Sequence, residues 1–258
     1  MEYGLIGEKL GHSYSKQIHG ELADYTYELT PLSREEFPLF MEKKEFHAIN
    51  VTIPYKCDVI PYLSHLDPLA KRVGAVNTVV NRGGALYGYN TDYYGFLYLL
   101  DKNRIFVTGK KVLVLGNGGV AQPVFLALSE RGAAHVITVK YKQEAGTITY
   151  AQAAELHADA DIIINTSPVG MFPDVDATPV DLAPYKNLSA AVDLIANPLE
   201  TRFLREAGRM GAKTAGGLAM LVAQAKYAVE FFLDVSIDNE KIAPIEEKIA
   251  AMMEEKPA

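Results

Sequence analysis

The sequence predicts an α/β protein of two domains. Three observations predict it. Short apolar segments alternate with helical segments through most of the chain. A glycine-rich turn in the middle of the sequence follows a buried strand and opens a helix. The 258 residues exceed one small domain and suffice for two, or for one large α/β unit.

The elements follow in order. Glu2–Gly7 is apolar and extended, so a first strand is expected. Ser15–Asp24 reads as a helix, and Tyr25–Thr30 alternates as a strand. Ser33–Lys44 is helical, with Ser33 and Glu36 at capping-box spacing. His47–Ile53 is a strand ending at Pro54. Val76–Asn81 and Ala85–Tyr89 flank Arg82-Gly83-Gly84 and form a hairpin. Tyr93–Asp101 begins another helix.

A second unit starts near Lys110. Lys111–Leu115 is a buried strand, Gly119–Arg131 a helix stopped by Gly132, and His135–Val139 the next strand. Tyr150–His157, Asp161–Asn165, Ala190–Leu194 and Glu200–Gly208 continue the alternation, which implies a parallel sheet. From Leu218 the chain is helical, with Leu218, Leu221, Val222, Ala225, Val229 and Phe232 at helical spacing. Glu240–Glu254 is a charged amphipathic helix, and the final Lys-Pro-Ala is expected to fray.

Composition narrows the functions. Hydrophobic residues make up 49% and charged residues 22%, an ordinary globular balance. The net charge of −7 leaves no basic footprint for nucleic acid. Cys57 is the one cysteine, so an internal disulfide and a cysteine-based zinc site are excluded, and no metal is expected. Beside Lys56, Cys57 reads as a bystander rather than a nucleophile. The six histidines show no paired ligand spacing. With no basic-then-apolar leader, a reducing cytoplasm is the expected location. The longest uncharged run, Val112–Ser129, carries Gly116, Gly118, Gly119 and Pro123 in its middle, so it reads as strand, turn and helix start, not a membrane span.

That run places Gly116, Gly118 and Ala121 in a G-x-G-x-x-A pattern. The first glycine permits the tight turn, the second lets the backbone approach a pyrophosphate, and the small third residue lets helix and strand pack closely. The helix N-terminus adds the positive end of its dipole. The unit is therefore expected to be a Rossmann-type, doubly wound dinucleotide-binding domain. At the tip of its second strand, Thr138-Val-Lys-Tyr-Lys-Gln143, the acid that holds the ribose hydroxyls of NAD is missing, and Lys140 and Lys142 are present. Ammonium groups there attract a 2′-phosphate, so NADP is favoured. Glu144 lies close by and leaves NAD open.

Four polar motifs sit at strand ends or loops of the first unit: Gly11-His-Ser-Tyr-Ser15, Asn50-Val-Thr-Ile-Pro-Tyr-Lys56, Gly74-Ala-Val-Asn-Thr78 and Asn90-Thr-Asp92. Strand ends are where α/β folds bind ligands. Each motif also has a plain reading. Ser13 and Ser15 cap a helix, His12 packs in its loop, Asn77 occupies a turn, Asp92 is an N-cap, and Lys56 is a surface charge.

Taken together and in order, these motifs resemble those of the shikimate dehydrogenase family, which includes the quinate/shikimate dehydrogenases. The resemblance extends through Gly116-Asn-Gly-Gly-Val-Ala121, Asn165-Thr-Ser-Pro-Val-Gly-Met171, Asp193–Leu204 and Gly216–Gln224. It implies a substrate-binding catalytic domain over residues 1–102, an NADP-binding domain over 103–216, and C-terminal helices over 217–258 that pack back on the first. It implies a reversible NADPH-dependent reduction of 3-dehydroshikimate to shikimate, a step of aromatic amino-acid biosynthesis. Ser13 and Ser15 would hold the substrate carboxylate. Thr52, Asn77 and Gln224 would bind the ring hydroxyls or the surroundings of the carboxylate. Lys56 and Asp92 would form the catalytic pair. Gly116, Asn117, Gly118, Gly119, Val120, Ala121, Lys140, Lys142, Thr166, Met171, Leu194 and Gly217 would line the cofactor site. The expected partners are these small molecules, with no nucleic acid and no membrane, for a monomer or a homodimer.

Those residue types suit the chemistry. Hydroxyls and amides can read each hydroxyl of a small polyhydroxylated acid. A lysine ammonium can donate a proton to the developing alkoxide or stabilise it, and a neighbouring carboxylate fixes the ammonium. The sequence departs from the family at two places. Val139-Lys-Tyr141 stands where many relatives have Asn-Arg-Thr, and lysine lacks the planar fork of arginine. Ala196 stands where relatives usually have tyrosine. An NAD-preferring quinate/shikimate dehydrogenase and a weakly catalytic regulatory relative therefore stay open at this point.

Overall fold

The computed structural model describes residues 1–11 and 13–255; His12 and the terminal Lys256-Pro257-Ala258 lie outside the described residues, along with the loop packing and fraying expected of them. The chain divides into two compact units. One comprises Met1–Gly95 and Val222–Ile249, the other Phe96–Leu221 and the residues from Ala250.

The first unit runs β1 (Tyr3–Gly7), α1 (Ser15–Leu22), β2 (Tyr27–Pro31), α2 (Glu36–Lys43), β3 (Ala48–Val51), β4 (His65–Leu66), α3 (Pro68–Val73), β5 (Thr78–Arg82), β6 (Ala85–Tyr89) and the start of α4 (Asp92–Lys102). Its sheet has the order β2-β1-β3-β5-β6-β4. Strand β1 pairs in parallel with β2 and β3, whereas β5 is antiparallel to both β3 and β6. The sheet is therefore mixed. The reversal is made by Gly83 (φ 61°) and Gly84 (φ 89°), whose left-handed conformations match a two-residue hairpin turn. The capping box of α2 forms: Ser33 N donates to Glu36 Oε2 at 2.8 Å and Glu36 N to Ser33 Oγ at 3.3 Å.

The sheet is covered on both faces. Ile6, Ile49 and Val79 pack with Phe37, Met41 and Tyr55 on one side. Their strand neighbours Leu5, Ala48 and Val80 pack with Tyr27, Ala228 and Phe232 on the other. Each Val, Leu, Ile, Phe or Met among them contributes about 1.5–3 kcal/mol on full burial. Phe37 stacks on Tyr55 at 4.2 Å, and the Tyr55 hydroxyl donates to Leu32 O at 2.7 Å.

The second unit contains β7 (Lys111–Leu115), α5 (Ala121–Glu130), β8 (His135–Lys140), β9 (Thr147–Thr149), α6 (Tyr150–Leu156), β10 (Ile162–Asn165), β11 (Ala190–Asp193), α7 (Arg202–Arg209) and β12 (Lys213–Ala215). Its order is β12-β11-β10-β7-β8-β9, parallel throughout. The strand after β7 lies on one side of it and β10 lies on the other, so the strand order reverses at the C-terminal end of β7.

The C-terminal segment is interrupted rather than continuously helical. Helix α8 (Leu218–Leu233) stops where Asp234 turns left-handed (φ 55°), and α9 spans Ile242–Glu255. Glu230 Oε1 holds the intervening loop by accepting from Ile237 N at 2.7 Å.

Candidate active site

Strand topology gathers the polar motifs of the first unit. Strands β1 and β3 run in parallel and end together at Gly7 and Val51. Antiparallel β5 begins at that same edge, with Thr78 opposite Asn50, and β6 ends there, with Tyr89 opposite Thr78. The loops after β1, β3 and β6 and the turn before β5 therefore share one sheet edge. They carry Ser13 and Ser15, Thr52 and Lys56, Asn90–Asp92, and Asn77. Backbone bonds lock them: Val51 N to Asn77 O at 2.8 Å, Val76 N to Lys56 O at 2.8 Å, and Thr52 N to Ile6 O at 2.9 Å.

Lys56 Nζ donates to Asp92 Oδ2 at 2.6 Å. The two side chains are only 12% and 8% exposed. Asp92 is the first residue of α4, where the helix dipole favours a carboxylate. The plain readings of Lys56 as a surface charge and Asp92 as a simple cap do not describe this pair.

Asn77 Oδ1 accepts from Thr91 N at 2.8 Å, and Asn77 Nδ2 donates to Thr91 Oγ1 at 3.0 Å. Thr91 Oγ1 reaches Gln224 Oε1 on α8 at 3.5 Å. Asn77, Thr91 and Gln224 thus form one cluster. Ser13 Oγ donates to Ser15 Oγ at 3.0 Å and accepts from Ser15 N at 3.2 Å. Ser13, Ser15 and Thr52 are brought to the edge by the strand ends. Thr52 Cγ2 packs so closely on Gly7 that a Cβ there would come within 2.5 Å.

In the second unit the glycine turn sits at the strand-order reversal. Gly116 has φ +105°, and a Cβ on it would meet Thr166 Oγ1 at 2.9 Å. Gly118 has open space where a Cβ would stand. Gly119 and Val120 lead into α5 at Ala121, whose N bonds Gly118 O at 2.9 Å, and Asn117 Oδ1 accepts from Gln122 Nε2 at 2.9 Å. The first N–H groups of a helix have no intrahelical partner. An open backbone over Gly118 and a helix N-terminus beside it fit a dinucleotide pyrophosphate.

Thr166, Leu194 and Gly217 follow β10, β11 and β12, at the same end of the parallel sheet. Thr166 Oγ1 donates to Leu115 O at 2.8 Å, and Leu194 N to Asn165 O at 3.0 Å. Gly217 packs on Leu194 so tightly that any Cβ would drive into the Leu194 carbonyl. Met171 is exposed on the loop after β10, and Ala196 is half-buried on the loop after β11. Lys140 ends β8 with Nζ 2.5 Å from Glu144 Oε2, while Lys142 is exposed. Among the described residues no group of three or more His, Cys, Asp or Glu could hold a metal ion, and no helix is long and apolar enough to cross a membrane.

Sequence reasoning missed two sets of buried residues. Asp193 Oδ1 accepts from Asn165 Nδ2 (3.0 Å) and Ile195 N (3.1 Å), and its Oδ2 accepts from Thr201 Oγ1 (2.7 Å). It thereby ties the loops after β10 and β11 to α7. Burial pushes its carboxyl up to about 6 against those three hydrogen bonds. The other set is Tyr27, Asn50, Thr78 and Thr91, which lie behind Asn77. Asn50 and Thr78 stand within quoted motifs, but nothing local signals Tyr27 as their partner.

A parallel dinucleotide-binding sheet and a separate α/β unit bearing a buried Lys–Asp pair define the class: a nicotinamide-dependent dehydrogenase. Comparisons with known proteins narrow it. The family model described as the shikimate dehydrogenase substrate binding domain matches residues 5–79. A shikimate dehydrogenase (NADP(+)) of Clostridium beijerinckii is 40% identical over 92% of this chain and 93% of its own. The crystal structure of a chorismate mutase/shikimate 5-dehydrogenase fusion protein from Clostridium acetobutylicum superposes with a TM-score of 0.91 at 37% identity, covering 98% of each chain. That of shikimate 5-dehydrogenase from Thermus thermophilus, in complex with NADP(H) and shikimate, does so with 0.85 at 30% identity, over 96% of this chain and 99% of that one. The chain belongs to the shikimate dehydrogenase family.

Proposed function

We propose that this protein reduces 3-dehydroshikimate to shikimate reversibly with NADPH. The observation that carries the reading is the Lys56–Asp92 pair, held at 2.6 Å at the edge that also carries Asn77, Gln224 and the two serines. The first unit takes the substrate and the second the dinucleotide, with a cytoplasmic location and a monomeric or homodimeric state.

The chain's own residues divide the work. Lys56 faces the oxygen that alternates between ketone and hydroxyl: its ammonium donates the proton as the ketone is reduced, and its neutral amine takes that proton back as the hydroxyl is oxidised. Asp92 orients that ammonium and accepts from the substrate hydroxyl. Ser13 and Ser15 hold the carboxylate, and Thr52, Asn77 and Gln224 read the ring oxygens. Gly116–Ala121, Thr166, Met171, Leu194 and Gly217 hold the dinucleotide, with Lys140 and Lys142 beside its 2′-phosphate. When bound, the cofactor supplies the hydride chemistry.

Initial rates with shikimate or quinate, each against NADP+ or NAD+, test the reading. Shikimate with NADP+ should be fastest. Faster quinate oxidation with NAD+ would overturn it, and absence of all four rates would leave the regulatory alternative.

A further inference from the structure

We infer that Tyr27, Asn50 and Thr78 are positioning residues: a one-way chain of hydrogen bonds runs from Tyr27 to Gln224 and, together with the Thr91 N–H, holds the Asn77 amide in the orientation in which it meets the substrate. The inference deepens the proposed reading and rests on it. The chain is built from six bonded side chains. Tyr27 OH donates to Asn50 Oδ1 at 2.7 Å. Asn50 Nδ2 donates to Thr78 Oγ1 at 3.2 Å, and Thr78 Oγ1 donates to Asn77 Oδ1 at 2.9 Å. Asn77 Nδ2 donates to Thr91 Oγ1 at 3.0 Å, and Thr91 Oγ1 points on to Gln224 Oε1 at 3.5 Å.

Two backbone groups set its direction. The Thr91 N–H can only donate, so the Asn77 atom 2.8 Å from it must be oxygen. The Asn77 carbonyl can only accept, so the Asn50 atom 3.2 Å from it must be nitrogen. Asn50 therefore turns its oxygen to Tyr27, whose hydroxyl must donate. The Thr78 hydroxyl has one proton. Asn50 supplies a proton to its oxygen, and its own goes to the nearer acceptor, Asn77 Oδ1 at 2.9 Å, rather than to Thr91 Oγ1 at 3.3 Å. Thr91 Oγ1 also lies 3.2 Å from Asn77 Oδ1 and 3.3 Å from Thr78 Oγ1, but the two lone pairs of Asn77 Oδ1 are filled by Thr78 and Thr91 N, so the Thr91 proton turns toward Gln224.

Asn50, Asn77, Thr78, Thr91 and Tyr27 are all at most 6% exposed, so each misdirected bond would strand a buried polar group. Asn77 is left with one N–H of its amide to offer. It meets the substrate as a donor, reading an oxygen that accepts. Thr78→Val keeps the shape and removes one of the two donors that hold Asn77 Oδ1, loosening an amide whose oxygen Thr91 N then holds alone.

The test is steady-state kinetics on the whole protein with shikimate and NADP+. In Thr78→Val the KM for shikimate should rise about tenfold, with kcat changed less than about threefold and the KM for NADP+ unchanged. Thr78→Ser should restore the KM to within about twofold, because its hydroxyl donates as before. Tyr27→Phe, at the far end of the chain, should raise the KM about threefold, and it decides the matter if Thr78→Val fails to fold. An unchanged KM in the folded variants, or Thr78→Ser as impaired as Thr78→Val, would overturn the chain while wild-type turnover still supports the reading. A wild type inactive on shikimate overturns both.

Discussion

Lys56 and Asp92 meet at 2.6 Å across thirty-six residues of sequence. One lies within the turn after β3 and the other begins α4. The pair exists because β5 and β6 return the chain to the edge where β3 ends.

Replacing Lys56 by Ala should lower kcat by roughly 10²–10⁴, the range of positioned acid–base groups. NADPH affinity, followed by fluorescence titration, should stay within about twofold, since the glycine turn belongs to the other unit. Undiminished turnover would remove Lys56 from the mechanism. The melting temperature should also drop, because the variant leaves Asp92 buried without its cation.

Lys140 pairs with Glu144, and in the proposed reading a 2′-phosphate would compete with Glu144 for that ammonium. Glu144→Gln should therefore lower the KM for NADP+ by roughly two- to fivefold, the worth of an exposed ion pair, and leave that for NAD+ unchanged. Lys142→Ala should raise the KM for NADP+ alone. Equal effects on both cofactors would place these lysines outside phosphate recognition.

His19 is buried against Tyr27, their rings stacked at 3.9 Å, and its Nδ1 lies 2.7 Å from the Tyr25 hydroxyl. Burial depresses its pKa to about 3. Between pH 6.5 and 3 the unfolded chain binds this proton and the folded chain does not, so stability falls as pH drops through that window. Urea unfolding across it should show a flatter acid limb in His19→Gln. An unaltered slope would contradict the buried neutral imidazole.

Asp193 acts in the opposite sense. Its carboxyl is pushed up to about 6 from an ordinary value near 4, so the folded state holds the proton longer and stability falls as pH rises from about 4 to 6. Asp193→Asn should remove that fall while Thr201 exchanges its role from donor to acceptor. A variant whose unfolding still weakens over that range would assign the effect to another group.

Much of this was legible in the sequence because it is local. The turn at Gly116, Gly118 and Ala121 needs particular residues within six positions, and the backbone there allows few others. The Gly83-Gly84 hairpin and the Ser33–Glu36 box are read the same way. Strands β4, β9 and β12 escaped because two or three residues carry no periodicity and become strands only by pairing. Helix α3 escaped although its signals were present: Asp67 accepts from Leu69 N and Ala70 N, Pro68 opens it, and Gly74 closes it at φ 73°.

By itself the sequence determined the two α/β halves, the dinucleotide turn and the residue types of the site, since these follow from periodicity and from steric limits acting over a few residues. Only the tertiary structure decided that Lys56 reaches Asp92, that Asp193 ties three segments together, and that Tyr27 is linked by hydrogen bonds to Asn77 through Asn50 and Thr78. Those links join strands distant in sequence, and a hydrogen bond between them depends on sheet register to within an ångström, which no local pattern encodes.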